Sequence, residues 1–202
     1  HWASHADSWS KAQLCARAQI KPQGPHRVAG VPPSTTSASE WLTQLTDAPI
    51  HKALPRLRIG FAYTGQAAQV AGMAMPLMEQ EPVFRMAMEQ AGDVYRNLTG
   101  RELNEVLVDQ ALLDHTSFTQ PALFAVEWSL TRLLSVWNVQ PTLVLGHSVG
   151  EIAAACTAGV FTMEQAMGLA VARGRALGDL PEGGAMAAIE ATPTELGPSL
   201  PE

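Results

Sequence analysis

A serine between two glycines is the strongest chemical feature of the sequence, in the stretch Gly146-His147-Ser148-Val149-Gly150. A short apolar run precedes it, and small residues with helical spacing follow it. In such a G-x-S-x-G turn a strand passes sharply into a helix, and the serine hydroxyl stands free at the carboxyl edge of the sheet. The amide groups at the start of the helix suit an oxyanion. The pattern predicts that Ser148 is a nucleophile; a serine that only caps the helix is the alternative.

A second loop could supply part of an oxyanion hole. Residues 63–69 read Tyr-Thr-Gly-Gln-Ala-Ala-Gln and close a strand predicted over residues 57–66. If the two strands are parallel neighbours, both loops lie at the same edge of the sheet. One N–H group from this loop and one from Val149 would then form the two donors that acyl transfer requires. An ordinary glycine turn is the alternative for this loop.

The elements that must hold these residues follow from hydrophobic spacing and from start and stop signals. The helix over 118–137 is the strongest, and we expect Thr119 as its N-cap and Pro121 in its first turn. The apolar run 141–146 predicts a strand of the fully buried kind. Alternation of helices and strands predicts an α/β fold, with a parallel sheet covered by helices on both faces. The other predictions are a Pro-, Gly- and Ser-rich linker at 21–39, a strand at 184–191, and helices at 37–47, 82–98 (ended by Gly100), 102–110, 151–159 and 162–180 (capped by Thr162).

The composition restricts the classes of partner. Of the 202 residues, 47% are hydrophobic and 16% are charged, which allows an ordinary globular core. The net charge is −6 and the 13 lysines and arginines are scattered, so we expect neither nucleic acid nor an anionic membrane surface as a partner. No apolar run reaches the roughly 20 residues of a membrane-spanning helix. Cys15 and Cys156 match no metal or redox spacing, so we expect no metal site and a cytoplasmic, reducing location.

Four separated segments carry a resemblance to a known family. They read FAYTGQAAQ, FTQPALFAVEWSL, LGHSVGEIAAACTAGVF and VARGRAL…GGAMAAI, in this order over about residues 57–191. Together they resemble the acyltransferase domain of modular polyketide synthases, which is similar to the malonyl-CoA:acyl carrier protein transacylases of fatty-acid synthesis. The resemblance implies a partly disordered linker after a ketosynthase at 1–56, an α/β-hydrolase-like core at 57–183, and the start of a ferredoxin-like subdomain at 184–202. Because the chain begins with His1 and shows no signal-peptide pattern, we interpret it as part of a longer synthase.

The resemblance also implies a reaction. Ser148 would attack the thioester of malonyl-CoA, hold the acyl group as an ester, and pass it to the phosphopantetheine thiol of an acyl carrier protein, without a bound cofactor. Gln66 and Val149 would supply the oxyanion-hole N–H groups, and Val149 matches the malonyl-selecting version of the motif. The ketosynthase and other synthase domains would be further partners.

Three residues are implied to bind the substrate. Arg173 matches the family arginine that grips the free carboxylate of the extender, a task that suits a guanidinium fork; an arginine on a solvated helix face is the alternative. Gln120 would line the pocket near the serine, or would be only a residue of the first helical turn. His147 is assigned to substrate binding as well, whereas Arg175 is expected on the surface.

The sequence departs from the family pattern in two places. The loop reads Gly-Gln-Ala where the family usually has Gly-Gln-Gly, so Ala67 narrows the entrance or needs a different backbone. All six histidines precede Ser148; His147 should point away from the hydroxyl, and His115 should be exposed. We therefore expect the catalytic histidine beyond residue 202 and a nearly inactive fragment. The rival functions are an α/β-hydrolase esterase or thioesterase and a non-catalytic scaffold module.

Overall fold

The structure, a computed structural model, describes residues 26–27, 37–46, 49, 51–52, 58–181 and 190–192. Contacts along the chain separate two units, residues 1–57 and residues 58–202. The strand predicted at 184–191 and the subdomain predicted at 184–202 fall almost entirely outside the described residues. Their assignment stays a prediction, as does that of the linker.

In the first unit, the described residues form a helix and a short pair of strands. Helix α1 (Ala38–Thr46) follows Ser37, whose Oγ accepts a hydrogen bond from the Glu40 amide at 3.3 Å. The Glu40 carboxylate accepts one from the Ser37 amide at 3.3 Å, which completes a capping box and confirms the predicted helix. Strand β1 (His26–Arg27), within the stretch predicted as a linker, pairs antiparallel with β2 (His51–Lys52).

The second unit contains the elements that surround Ser148. The predicted strands at 57–66 and 141–146 are confirmed with shorter ends, and so are the predicted helices at 82–98, 102–110, 151–159 and 162–180, with ends shifted by a few residues. In chain order the elements are β3 (Gly60–Tyr63), α2 (Met75–Gln80), α3 (Pro82–Thr99), α4 (Leu103–Val108), α5 (Gln110–Asp114), α6 (Thr116–Val136), β4 (Leu143–Gly146), α7 (Gly150–Thr157) and α8 (Met163–Gly178).

Helix ends follow the local chemistry of their caps. Gly100 ends α3 with a φ of 72°, and Thr162 forms a capping box at the start of α8, as the sequence predicts. The sequence patterns do not predict the short helices α2 and α5. Asp109 explains α5, because its Oδ1 accepts hydrogen bonds from the amides of Ala111 and Leu112 at 2.9 and 3.2 Å and so starts a new helix. None of the helices in the described ranges has both the length and the apolar character needed to cross a membrane.

Strands β3 and β4 pair in parallel, with Gly60 opposite Leu143 and Tyr63 opposite Gly146. Both strands therefore end at the same edge, which brings together the two loops that the sequence singles out. The predicted parallel α/β arrangement is confirmed at this point.

The prediction that β4 is fully buried is wrong. Leu143 and Leu145 are 60% and 53% exposed, whereas Phe61 and Val144 pack against the core from the opposite face. Within the described residues, helices thus cover one face of this two-stranded sheet rather than both. An apolar run alone cannot tell a strand covered on two faces from one that is covered on one face.

Helix α6 runs through the core and packs most extensively on α8. It begins at Thr116, earlier than predicted, with His115 as its N-cap residue. Thr119 is therefore not the N-cap, and Pro121 lies in the second turn instead of the first. The Thr119 hydroxyl lies 2.6 Å from the carbonyl oxygen of Leu113 in α5 and 3.0 Å from that of His115, and it donates to these preceding residues. An N-cap hydroxyl would instead accept a hydrogen bond from an amide later in the helix.

Candidate active site

The chain turns sharply between β4 and α7, and Ser148 lies at the turn. Its φ of 55° falls in the left-handed region, which costs a non-glycine residue about 1–2 kcal/mol and is typical of a nucleophile elbow. The flanking glycines are needed for packing, because a Cβ at Gly146 would lie 2.2 Å from the Glu151 amide and one at Gly150 would lie 2.5 Å from the Thr64 carbonyl oxygen. Ser148 is exposed, as we expect for a nucleophile.

The loop after β3 lies against this turn. The amide of His147 donates a hydrogen bond to the carbonyl oxygen of Tyr63 at 3.0 Å, and a Cβ at Gly65 would lie 2.4 Å from Nδ1 of His147. No hydrogen bond between described residues uses the amide N–H of Gln66 or of Val149. Neither predicted oxyanion donor is thus used by another described residue; Val149 itself is fully buried at the N-terminus of α7, which adds its positive end. The oxyanion role of the two amides stays a prediction.

Arg173 connects Ser148 to the protein interior. Its Nη2 donates to Ser148 Oγ at 3.2 Å, and its Nη1 donates to Oε1 of Gln120 at 2.6 Å. Gln120 is fully buried, and its Nε2 has no hydrogen-bond partner in the described part of the chain. No carboxylate of the described residues forms an ion pair with Arg173. The structure thus brings three predicted residues together, and within the described ranges the guanidinium beside the hydroxyl has no counter-charge.

A glycine on α8 explains how Arg173 reaches Gln120. A Cβ at Gly174 would lie 3.1 Å from the carbonyl oxygens of Thr116 and Ser117. The absence of a side chain therefore lets α8 pack closely on the first turn of α6. This close approach sets the position from which α8 presents the guanidinium.

The other predicted residues take different positions. Nε2 of Gln66 donates to Thr116 Oγ1 at 2.9 Å, so this side chain anchors the loop to α6. His147 is exposed and forms no hydrogen bond to Ser148. Ala67 has a φ of 87°, a backbone conformation that glycine, the usual family residue here, adopts more readily. The expected narrower entrance or different backbone at this position stays a prediction.

No general base accompanies Ser148 in the part of the chain that the structure describes. The one hydrogen-bond partner of its hydroxyl there is Arg173, and a guanidinium is not a proton acceptor. His115 is exposed, as predicted, beside the ring of Phe118. The same residues contain no group of three or more His, Cys, Asp or Glu side chains that could hold a metal ion.

The sequence patterns miss a buried carboxylate near the site. Glu127 of α6 is 8% exposed, and its Oε1 accepts hydrogen bonds from the amide and the hydroxyl of Thr64 at 2.7 and 2.9 Å. Burial raises the pKa of Glu127 to about 7, and the two bonds from Thr64 lower it in part. A signal was present in the sequence, because Glu127 follows Gln120 by about two turns on an otherwise apolar helix face.

The sequence is similar to proteins that contain acyltransferase domains. It matches the family model of the acyl transferase domain over residues 60–199. It is 47% identical over 141 residues to polyketide synthase GfsB of Streptomyces halstedii, which covers 69% of this chain and 2% of that protein. It is 48% identical over 143 residues to mycoketide-CoA synthase of Mycobacterium tuberculosis, which covers 69% of this chain and 3% of that protein.

Solved structures show the same fold. The acyltransferase domain from the second module of the salinomycin polyketide synthase is 35% identical with a TM-score of 0.68, over 90% of this chain and 45% of that one. The malonyl CoA-acyl carrier protein transacylase of Coxiella burnetii is 30% identical with a TM-score of 0.55, over 60% of this chain and 38% of that one. The α/β fold and the resemblance predicted from the sequence are confirmed. Because the family model matches more than half of this chain, the chain belongs to the acyl transferase domain family. It is similar to the members found in polyketide synthases.

Proposed function

We propose that Ser148 is the nucleophile of an acyl transfer in which a malonyl-type group passes from coenzyme A to an acyl carrier protein. The observation that carries this proposal is the contact between the exposed hydroxyl of Ser148 and the guanidinium of Arg173, which forms no ion pair with a described residue. A malonyl thioester has a reactive carbonyl carbon and, close to it, a free carboxylate. A hydroxyl and a guanidinium in contact match these two groups.

In the first step Ser148 Oγ attacks the thioester carbonyl and loses its proton to a base. The carbonyl oxygen becomes an oxyanion, which accepts hydrogen bonds from the amides of Gln66 and Val149. The C–S bond breaks, coenzyme A leaves as a thiol after gaining a proton, and the acyl group remains as an ester. In the second step the phosphopantetheine thiol attacks the ester, the C–O bond breaks, and Ser148 recovers its proton. A catalytic histidine beyond residue 202 stays a prediction for the base.

Arg173 gives the reaction its selectivity. Its planar fork binds a carboxylate through two hydrogen bonds, and Gln120 holds the fork from behind. A charge-assisted hydrogen bond contributes about 1.5–3 kcal/mol, which favours malonyl over acetyl groups by roughly tenfold to a hundredfold. His147, exposed beside Ser148, would contact the substrate from the open side of the turn.

The relatives support these partners. The chain spans only 2% to 9% of the length of eight curated relatives, which are synthases or synthetases by name. The Coxiella burnetii neighbour is named for malonyl-CoA and acyl carrier protein. By this similarity the partners of the chain are malonyl-CoA, an acyl carrier protein, and adjacent synthase domains such as a ketosynthase. A cytoplasmic location stays a prediction from the cysteine content of the sequence.

The test is acylation of Ser148 by radiolabelled malonyl-CoA in the longest natural protein that contains these residues. We expect a stable label on the peptide of Ser148, which moves to the phosphopantetheine of an added carrier protein. Ser148→Ala should remove the label, and the control Ser135→Ala, at the far end of α6, should keep it.

Two other outcomes would contradict the proposal. Rapid release of free malonate to water, without transfer to the carrier protein, would indicate an esterase or thioesterase. A protein that never acquires label on Ser148 would indicate a scaffold module in which the serine is only structural.

A further inference from the structure

The loop that carries the Gln66 amide is attached to α6 at two points. At the start of the loop, Thr64 donates its amide and its hydroxyl to Oε1 of Glu127, at 2.7 and 2.9 Å. Further along, Nε2 of Gln66 donates to Thr116 Oγ1 at 2.9 Å. Thr116 and Glu127 belong to the same helix. The Gln66 amide is therefore held between two anchors on one rigid element.

A carboxylate is an unfavourable group to bury for a structural contact alone. Glu127 is 8% exposed, its Oε2 has no hydrogen-bond partner in the described part of the chain, and no basic side chain of that part pairs with it. A neutral side chain would avoid much of the desolvation. A carboxylate, however, accepts stronger hydrogen bonds than a neutral oxygen does. The buried carboxylate therefore fixes the position of Thr64, at the start of the loop, more strongly than a neutral oxygen would.

We propose that Glu127 is a positioning residue for acyl transfer, which through Thr64 fixes the direction of the Gln66 amide toward the oxyanion. This inference rests on the proposed function, because it assigns the oxyanion role to the same loop. Glu127 forms no hydrogen bond to Ser148, so it acts only through the loop. Its effect falls on the transition state. Substitution should therefore lower the rate at saturating malonyl-CoA and leave the half-saturating concentration nearly unchanged.

The strength of the two hydrogen bonds from Thr64 to Glu127 should depend on pH. Glu127 lines a groove of about 310 Å³ between β3 and α6. The other ionisable side chain that lines this groove, among the described residues, is Tyr63, whose hydroxyl is hydrogen-bonded to Thr131 and Thr157. No lysine, arginine, histidine or aspartate of the described residues lines it. Because burial raises the pKa of Glu127 to about 7, the carboxyl is mostly neutral at pH 6 and its bonds to Thr64 are weaker there.

The test compares Glu127→Gln, Thr64→Val and the double variant with a control, Glu79→Gln, an exposed carboxylate on α2. Single-turnover acylation of Ser148 is measured against malonyl-CoA concentration at pH 6 and pH 8, in the longest natural protein that contains these residues. We expect Glu127→Gln to lower the saturating rate about fivefold to tenfold at pH 8 and much less at pH 6.

The other variants test whether the loss of rate comes from the contact between Glu127 and Thr64. Thr64→Val keeps the N–H donor and should lower the rate by a smaller factor. The double variant should lose less than the product of the two single losses, because both act on one interaction. Glu79→Gln should leave the rate unchanged. An equal loss at both pH values, an unchanged rate for Glu127→Gln, or a change confined to the half-saturating concentration would overturn the positioning role.

A second measurement does not depend on activity. The ¹⁵N shift of the Thr64 amide, followed against pH in the 202-residue chain, should titrate near pH 7 and should not titrate in Glu127→Gln. A shift that stays flat in the unsubstituted protein would overturn the contact itself. A protein whose Thr64 amide titrates, but in which malonyl-CoA never acylates Ser148, would instead overturn the proposed function and with it the role of Glu127 in the reaction.

Discussion

The two segments that follow the parallel strands hold their geometry by different means. Each contains a non-glycine residue in a left-handed backbone conformation, Ser148 with a φ of 55° and Ala67 with a φ of 87°. The turn after β4 is fixed by backbone that packs against Gly146 and Gly150, whereas the loop after β3 is fixed by side-chain hydrogen bonds to α6. The turn should therefore respond to the size of its neighbours, and the loop should respond to charge and pH.

The largest effect is expected from a methyl group in the turn. Gly150→Ala places a Cβ 2.5 Å from the Thr64 carbonyl oxygen and 2.6 Å from that of Tyr63, so backbone must move. We expect a loss of about 3 kcal/mol in the free energy of unfolding by urea, as for severe overpacking. The control Gly168→Ala, on α8 with open space around it, should gain about 0.5–1 kcal/mol from helix propensity. Equal effects of the two substitutions would show that backbone packing does not hold the turn.

The loop should show a dependence of stability on pH that originates from Glu127. Its pKa is raised from 4.5 to about 7, so the folded state binds more protons between these values. The contribution of Glu127 to stability is then fully present below about pH 4.5 and is lost as the pH rises through 7, by on the order of 3 kcal/mol at about 1.4 kcal/mol per pKa unit. The difference in unfolding free energy between wild type and Glu127→Gln, measured from pH 4.5 to pH 8, should fall by this amount. A constant difference would contradict the buried carboxylate.

For the turn after β4, a third prediction concerns Arg173, which donates a hydrogen bond to Ser148 and should affect the choice of acyl group. Removal of its guanidinium in Arg173→Ala should reduce malonyl loading on Ser148 by roughly tenfold to a hundredfold and acetyl loading much less, because only malonyl has a free carboxylate. The control is Arg175→Ala; Arg175 is exposed, as predicted, and donates to the carbonyl oxygen of Leu98 at 3.4 Å. Competition between labelled malonyl-CoA and acetyl-CoA measures the ratio. Equal losses for both acyl groups would remove Arg173 from the carboxylate site.

The smallest effect concerns backbone strain in the loop. Ala67→Gly should raise the free energy of unfolding by about 1 kcal/mol, because glycine adopts a positive φ without the steric penalty of a Cβ. Its neighbour Ala68 has no positive φ, so Ala68→Gly should lower stability by about 0.5–1 kcal/mol through the flexibility of the unfolded chain. Urea denaturation of both variants checks the sign. A loss of stability on Ala67→Gly would show that the loop does not constrain this residue.

Features encoded by neighbouring residues were predictable from the sequence. The turn at Ser148 and the caps at Gly100 and Thr162 each depend on a few adjacent residues, and the structure agrees with them. Thr119 resembles an N-cap in isolation, but its hydroxyl meets carbonyl oxygens of the preceding residues. The exposure of Leu143 depends on which elements cover the sheet, which an apolar run does not encode.

Features of the site that join distant segments were harder to predict. Glu127 and Thr64 are 63 residues apart in the sequence, and no short pattern links them. Gln120 and Arg173 are 53 residues apart; the resemblance to known acyltransferases assigned each to the site separately and did not predict their hydrogen bond. The turn at Ser148 could therefore be predicted from adjacent residues, whereas the contacts that orient its surroundings required the fold.

The close contact at Gly174 means that substitution of this one residue could change the distance between α8 and α6. The backbone of α8 rests directly on the first turn of α6, so a single missing side chain sets the spacing between the two helices. A larger residue at this position would push α8 outward and carry the guanidinium away from the serine. If Ser148 and Arg173 act as proposed, selectivity for a free carboxylate would then be lost through helix spacing alone, with both side chains still present.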